Sequence, residues 1–178
     1  MMKTIYSAAI SVAVAVCFAS AGQAAAKPND NSPATQARVT LEQVDSLTAS
    51  IADSADWLAM WAKSPERLEG QLDRLDLLRE DVNKAGRELQ LLGTERESLA
   101  EWESRAFDEV LPRMQDIAAN TEKAIEAYNS NRNHLWTTSF PEETAKIFED
   151  AKQAKEMLDG YLKLAAVREQ EQRLLSKR

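Results

Sequence analysis

The chain has 178 residues, of which 44% are hydrophobic, and its 29 acidic residues exceed its 22 basic residues to give a formal net charge of −7. This length is typical of a single domain whose core is large enough to fold without disulfides or structural metal ions. The acidic balance argues against a nucleic-acid partner, because phosphate backbones favour clustered lysine and arginine.

Residues 1–26 have the pattern of a cleaved signal peptide. Lys3 lies just before an uncharged, largely apolar stretch over 4–26, and small alanines at 24–26 fit a cleavage site. We therefore expect export to the periplasm and a mature chain of formal charge −8, with 21 basic against 29 acidic residues. Two alternatives stay open: residues 4–26 remain as an uncleaved inner-membrane anchor, or Cys17 carries a lipid.

A leader and a first helix follow. Residues 27–39 are rich in proline, asparagine and serine, which predicts a flexible leader ahead of a helical bundle domain over 40–178. Thr40 and Gln43 form a capping-box pattern that predicts a helix over 41–63. Apolar residues then recur at helical spacing: Leu41, Val44, Leu47, Ile51, Leu58 and Ala62.

The second helix has the most regular apolar stripe of the chain. Ser64, Pro65 and Glu66 predict its start, because serine caps a helix and proline fits the first helical position. Its apolar residues alternate by three and four, as in the packing seam of a bundle or coiled coil: Leu68, Leu72, Leu75, Leu78, Val82, Ala85, Leu89 and Leu92. Gly93 predicts the C-terminal cap.

A third helix is predicted from residue 95 to about 130. Thr94 and Glu97 form a second capping-box pattern, and Pro112 inside the helix predicts a kink near 108–112. Residues 129–140 interrupt the apolar pattern and predict the one substantial loop of the domain.

The fourth helix is predicted to run from Pro141 to about residue 175. The short connections at 63–65 and 93–94 favour antiparallel neighbours. The sequence therefore predicts an all-α fold, an elongated antiparallel bundle of about four helices with up-down-up-down topology. The third and fourth helices should be the longest.

Residues with catalytic or metal-binding chemistry are scarce. The mature chain has one histidine, His134, and no cysteine, which argues against zinc, copper, di-iron and covalent haem sites. No Gly-x-Ser-x-Gly motif and no phosphate-binding glycine loop occur. We therefore expect no enzyme activity, no catalytic or metal-binding residue and no cofactor.

Aromatic residues are the best candidates for a binding surface. Trp57 and Trp61 lie one turn apart on the first helix, and Trp136 and Phe140 lie in or beside the predicted loop. In an antiparallel bundle both groups fall at the same end. Large aromatics most often close a core, but they are also favoured anchors at interfaces. Trp136 is the strongest candidate for binding, because it sits in a polar segment outside the apolar stripes.

These observations favour a non-enzymatic periplasmic protein, such as an adaptor, a chaperone-like protein or an assembly factor, which acts through its helical surfaces and the 129–140 loop. The alternative is a binder of a small apolar ligand or cofactor, with a site between helices near the tryptophans. We expect a protein partner, with self-association open. Membrane contact is expected only through an uncleaved N-terminus or the basic C-terminal end.

Overall fold

The computed structural model describes residues 33–63 and 70–176, and the predicted signal peptide therefore lies outside the described residues. Over these residues the chain is an all-α bundle, and the third and fourth helices are the longest, with 31 and 36 residues. The helices are α1 (Pro33–Trp61), α2 (Gln71–Thr94), α3 (Glu101–Asn131) and α4 (Phe140–Leu175). Two 3₁₀ segments are the α2–α3 turn (Arg96–Ser98) and the α3–α4 turn (Arg132–Thr137).

The helices pack in an antiparallel, up-down-up-down arrangement. Helix α1 packs along α2 and α4, and α3 packs along α4 and less extensively along α2, which leaves α1 and α3 diagonally opposed. Polar pairs join neighbouring helices in antiparallel register: Ser50 with Asp81, Arg74 with Asp53, Lys155 with Asp45, and Arg113 with Asp150. We call the end where α1 and α3 finish the aromatic end, and the opposite end, where α4 finishes, the tail end.

The apolar stripes form a continuous core between the helices. In α2 the six stripe residues from Leu75 to Leu92 are buried, whereas Leu72 is half-buried and Leu68 lies outside the described residues. The alternation by three and four places these side chains on one face of the helix, so their burial holds α2 against α1 and α3. Each large aliphatic side chain buried in this way contributes roughly 1.5–3 kcal/mol to folding.

Helix α1 begins earlier than the capping pattern predicts. It starts at Pro33, so residues 33–39 of the predicted leader are helical, and residues 27–32 lie outside the described part. Thr40 is a buried residue inside the helix, and its hydroxyl donates to the carbonyl of Gln36 at 3.1 Å. The predicted Thr40–Gln43 cap is therefore wrong. Burial of Ala37 and an ion pair from Arg38 to Glu169 favour the extra turns.

The connection between α2 and α3 also differs from the prediction. Helix α2 continues through Gly93 to Thr94, so Gly93 is not a terminal cap. A β-carbon on Gly93 would lie 3.4 Å from Cζ of Phe107, so a glycine at this position lets the Phe107 ring pack closely against the end of α2.

Helix α3 is capped by a different residue pair from the one that the sequence predicts. It starts at Glu101, and the Glu103 carboxylate accepts a hydrogen bond from the Ala100 N–H at 2.8 Å, so the Thr94–Glu97 box is wrong. Pro112 lies inside α3, which continues on both sides of it.

The last part of α4 extends with little cover from the other helices. Between residues 163 and 176 only Ala165 is buried. Lys163 of the basic C-terminal end lies 3.8 Å from Asp159, whereas the acidic Glu169 is paired at 2.5 Å with Arg38 of α1. No helix among the described residues combines the length and the apolar character that a membrane span needs.

Candidate partner-binding surface at the aromatic end

The predicted loop is a short, ordered 3₁₀ turn. Helix α3 continues to Asn131 and α4 begins at Phe140, so the predicted connection is present but spans residues 132–139 and not 129–140. Side-chain hydroxyl groups stabilise the turn through hydrogen bonds to its backbone. The Thr137 hydroxyl donates to the carbonyl of His134 at 2.8 Å, and the Thr138 hydroxyl donates to the carbonyl of Leu135 at 2.7 Å. Such local bonds from threonine replace the helical ladder where the chain changes direction.

Leu135 anchors this turn in the core. Its side chain is fully buried, between the end of α3 and the start of α4. The Thr138 hydroxyl also accepts the N–H of Phe140 at 3.2 Å, which joins the turn to the first residue of α4. The turn is thus fixed at both ends, and the side chains that it displays have a defined position.

Trp136 and His134 form an exposed aromatic pair on the turn. Trp136 is 39% exposed, and its ring centroid lies 5.1 Å from that of His134 in an edge-on contact. The backbone of His134 leaves helical geometry, with φ −139° and ψ 51°, which breaks the 3₁₀ segment at this residue. We call these two residues the turn pair.

Phe140 belongs to the core. Its side chain is fully buried, and its ring centroid lies 6.0 Å from that of Tyr128. The prediction that Phe140 contacts a partner does not fit this placement, because the first turn of α4 points its ring inward. Burial raises the pKa of Tyr128, Arg132 lowers it, and Asp76 and Asp73 raise it, so the start of α2 lies near the end of α3.

The second aromatic group at this end lies on α1. Trp57 and Trp61 are half-buried, with ring centroids 5.9 Å apart, and the guanidinium of Arg74 lies 6.0 Å from the ring of Trp57. An open recess of about 350 Å³ lies beside Trp57, lined also by Gly70, Asp73, Arg74 and Leu77. The two tryptophans therefore line the α1–α2 side of the end, whereas the turn pair lies at the α3–α4 side.

Gly70 opens α2 in the left-handed region, with φ 87° and ψ −14°. This conformation disfavours residues with a β-carbon by about 1–2 kcal/mol. Gly70 directly precedes Gln71, whose side chain is buried in the core. The Gln71 side-chain amide donates a hydrogen bond to the backbone carbonyl of Trp61 at 3.4 Å.

The aromatic end also holds buried polar atoms that have no hydrogen-bond partner among the described residues: Ser54 Oγ, Gln71 Oε1, Arg74 Nε and Glu143 Oε2. They come from the last turns of α1 and the first turns of α2 and α4. A buried polar atom without a partner costs about 1–3 kcal/mol, so such groups commonly bind water or a ligand. The sequence could not identify them, since their burial depends on tertiary packing.

Within residues 33–63 and 70–176, no group of three or more histidine, cysteine, aspartate or glutamate side chains is arranged to hold a metal ion. No protein-family model, no curated protein and no solved structure matches the chain.

Proposed function

We propose that the chain is an exported, non-enzymatic interaction protein of the periplasm, which acts as an adaptor, a chaperone-like protein or an assembly factor. Its contact surface is the aromatic end, centred on the turn pair. The observation that supports this most directly is the 39% exposure of Trp136 on an ordered turn. Tryptophan is enriched among the residues that dominate the binding energy of protein interfaces.

The construction of the turn favours binding. Leu135 and the hydroxyls of Thr137 and Thr138 hold the segment in one conformation. A partner that docks on a pre-ordered side chain loses less conformational entropy than one that must first order a flexible loop. Half-buried Trp57 and Trp61 extend apolar surface at the same end and complete the proposed contact set, from which buried Phe140 is omitted.

In-cell photo-crosslinking tests the proposal. A photoreactive residue at Arg132 or Asn133, beside Trp136, should give a reproducible adduct with a specific protein, and Trp136→Ala should abolish it. Leu91→Ala is the matched control, because Leu91 is an apolar residue that is 58% exposed at the tail end. A photoreactive residue at exposed Gln115, in the middle of α3, reports background labelling.

Equal labelling from Gln115, or adducts that persist in Trp136→Ala, would contradict a contact centred on the turn pair. Circular dichroism of both alanine variants checks that their helix content is unchanged. Adducts formed only with the chain itself would identify the partner as a second copy.

Export is supported by the signal pattern of residues 1–26. Periplasmic extraction followed by N-terminal sequencing should find the chain starting at Lys27, or at Ala25 if cleavage follows Ala24. A membrane-bound form that starts at Met1 would favour the alternative of an anchor through residues 4–26.

A small-ligand site near the tryptophans is the second candidate. It is favoured by the buried, unpartnered Ser54 Oγ and Gln71 Oε1 on the facing ends of α1 and α2. Native mass spectrometry of the purified protein tests it: a ligand should appear as a reproducible added mass that organic solvent removes. A spectrum that holds only the bare polypeptide mass argues against this candidate.

A further inference from the structure

The last three turns of α4 carry a second apolar stripe, distinct from the one that enters the core. The core stripe of α4 includes Ile147, Ala151, Ala154, Leu158 and Ala165, all buried. Residues 164, 167, 171 and 174 repeat the three-and-four spacing on a neighbouring face of the helix.

This second face is apolar but uncovered. Leu164, Val167, Leu174 and the adjacent Leu175 are between 44% and 69% exposed. Single exposed apolar residues are ordinary, but these four lie within twelve residues on one side of the helix, where only Glu171 interrupts the apolar repeat. We call Leu164, Val167, Glu171, Leu174 and Leu175 the tail stripe.

We propose that the tail stripe is the interface for a second copy of this chain, which packs antiparallel so that the two bundles are joined tail to tail. This proposal is independent of the contact surface at the aromatic end. A symmetric dimer uses the same patch on both copies, so the patch must be complementary to itself.

The charges of the tail favour this orientation. The antiparallel alignment that pairs Leu164 of one copy with Leu174 of the other also sets Arg168 opposite Glu171, within one residue. Two-fold symmetry repeats this contact, so two opposite-charge pairs lie at the middle of the interface, between the two Leu164–Leu174 contacts. A parallel pair would instead set each charge against its equal, which disfavours that arrangement.

Both charged residues are accessible for such contacts. Arg168 and Glu171 are exposed, and neither is in an ion pair with another described residue. By contrast, the neighbouring Glu169 is already bound to Arg38 of α1. Arg168 and Glu171, the two residues that the proposed dimer pairs, are therefore both accessible to a second copy.

The size of the stripe sets the expected affinity. From Leu164 to Leu175 the helix is about 18 Å long, at 1.5 Å per residue. A pair of such segments buries less than the roughly 1,200 Å² typical of stable complexes. We therefore expect a weak dimer that forms reversibly as protein concentration rises, rather than a permanent one.

Sedimentation velocity of the purified full chain over a range of concentrations tests the proposal. The sedimentation coefficient should rise with concentration toward that of a dimer. Val167→Glu should abolish this rise, because the alignment sets residue 167 opposite Glu171 of the second copy, so the variant places two carboxylates against each other within the stripe. Ala166→Glu is the matched control: Ala166 is exposed on the same turn but lies outside the stripe, so this variant should still dimerise.

A charge swap tests the orientation. Arg168→Glu alone sets like charges against each other and should weaken the dimer, and Glu171→Arg alone should do the same. The double variant restores opposite charges and should recover dimerisation to near the wild-type level. Circular dichroism of each variant checks that α4 is still formed.

Two results would overturn the proposal. One is a monomer at every concentration, which would leave the stripe to another occupant such as the residues before Pro33. The other is a dimer that Val167→Glu does not weaken, which would place the contact elsewhere. A double charge swap that stays monomeric while its apolar residues are intact would refute the antiparallel alignment.

Discussion

The two ends of the bundle differ in how much of their apolar surface is covered. At the aromatic end four helices and the α3–α4 turn converge, and Phe140, Leu135 and Leu58 are fully buried there. At the tail end α4 has few neighbours, and Leu174 and Leu175 are more than half exposed. Both ends carry apolar residues at helical spacing, so the spacing alone does not determine burial.

This difference shows that a heptad pattern specifies a face, whereas the neighbouring helices decide whether that face is core. Phe140 and Leu174 lie on the same helix, α4, and differ mainly in what surrounds them. Three tests, with five substitutions in all, examine this comparison in order of decreasing expected effect.

The largest effect is expected for Phe140→Ala against Leu174→Ala. Removing the buried ring leaves a cavity beside Tyr128 and should lower the free energy of unfolding by about 3–5 kcal/mol. Leu174→Ala should change it by less than about 0.5 kcal/mol at concentrations where the chain is monomeric, because that side chain is 60% exposed. Urea unfolding measures both values, and similar losses would show that α4 is covered equally along its length.

A smaller effect, of opposite sign at the two positions, is expected for one glycine at the aromatic end and one in the middle of α4. Gly70→Ala should lower the free energy of unfolding by about 1–2 kcal/mol, because φ at this residue is 87°. Steric conflict does not contribute, since the new β-carbon would lie at an ordinary 3.7 Å from Cη2 of Trp57. Gly160→Ala should stabilise by about 1 kcal/mol, because Gly160 is inside α4 and a β-carbon there would meet nothing within 4 Å.

Thermal unfolding of the two glycine variants checks these signs. A gain from Gly70→Ala would show that α2 does not need a left-handed residue at its start. A loss from Gly160→Ala would show that this face of α4 is already in contact with something.

A modest, pH-dependent effect is expected at the tail end for Glu103→Gln. Burial raises the pKa of Glu103 above its ordinary value of 4.5, although the hydrogen bond from Ala100 opposes this. The folded state therefore holds the proton more tightly than the unfolded state. The resulting stabilisation is present in full below the unfolded pKa and is lost as pH rises through the folded pKa.

Glutamine keeps an acceptor for the Ala100 N–H and is neutral at every pH. The stability of the variant relative to that of the wild type should therefore increase as pH rises above about 4.5, because only the wild type must ionise a buried carboxyl group. Urea unfolding at several pH values measures this difference. A constant difference across the range would show that Glu103 ionises in the folded protein as it does in the unfolded chain.

The sequence was sufficient for the helices but not for their boundaries. The stripe of α2 from Leu75 to Leu92 identified a buried face, because its spacing matches helical geometry over many turns. The capping patterns at Thr40 and Thr94 failed for a different reason. A cap is a local motif of a few residues, and tertiary contacts such as the Arg38–Glu169 pair extended α1 past it.

The candidate site was predictable only in part. The sequence placed Trp136 and Phe140 in one loop, and the structure separates them, with Trp136 on the surface and Phe140 in the core. Only three residues lie between Trp136 and Phe140, and the direction of each aromatic side chain depends on where the 3₁₀ turn ends. The unpartnered Gln71 Oε1 was not predictable either, because a glutamine beside an apolar stripe is usually solvated.

Leu135 and Trp136 are adjacent in the chain and face opposite environments, one in the core and the other in solvent. Because the Leu135 side chain is held in the core, the packing of the α3–α4 junction sets the backbone position of Trp136. A substitution that loosens this packing would therefore change where the exposed ring is presented, although it alters no residue of the surface itself.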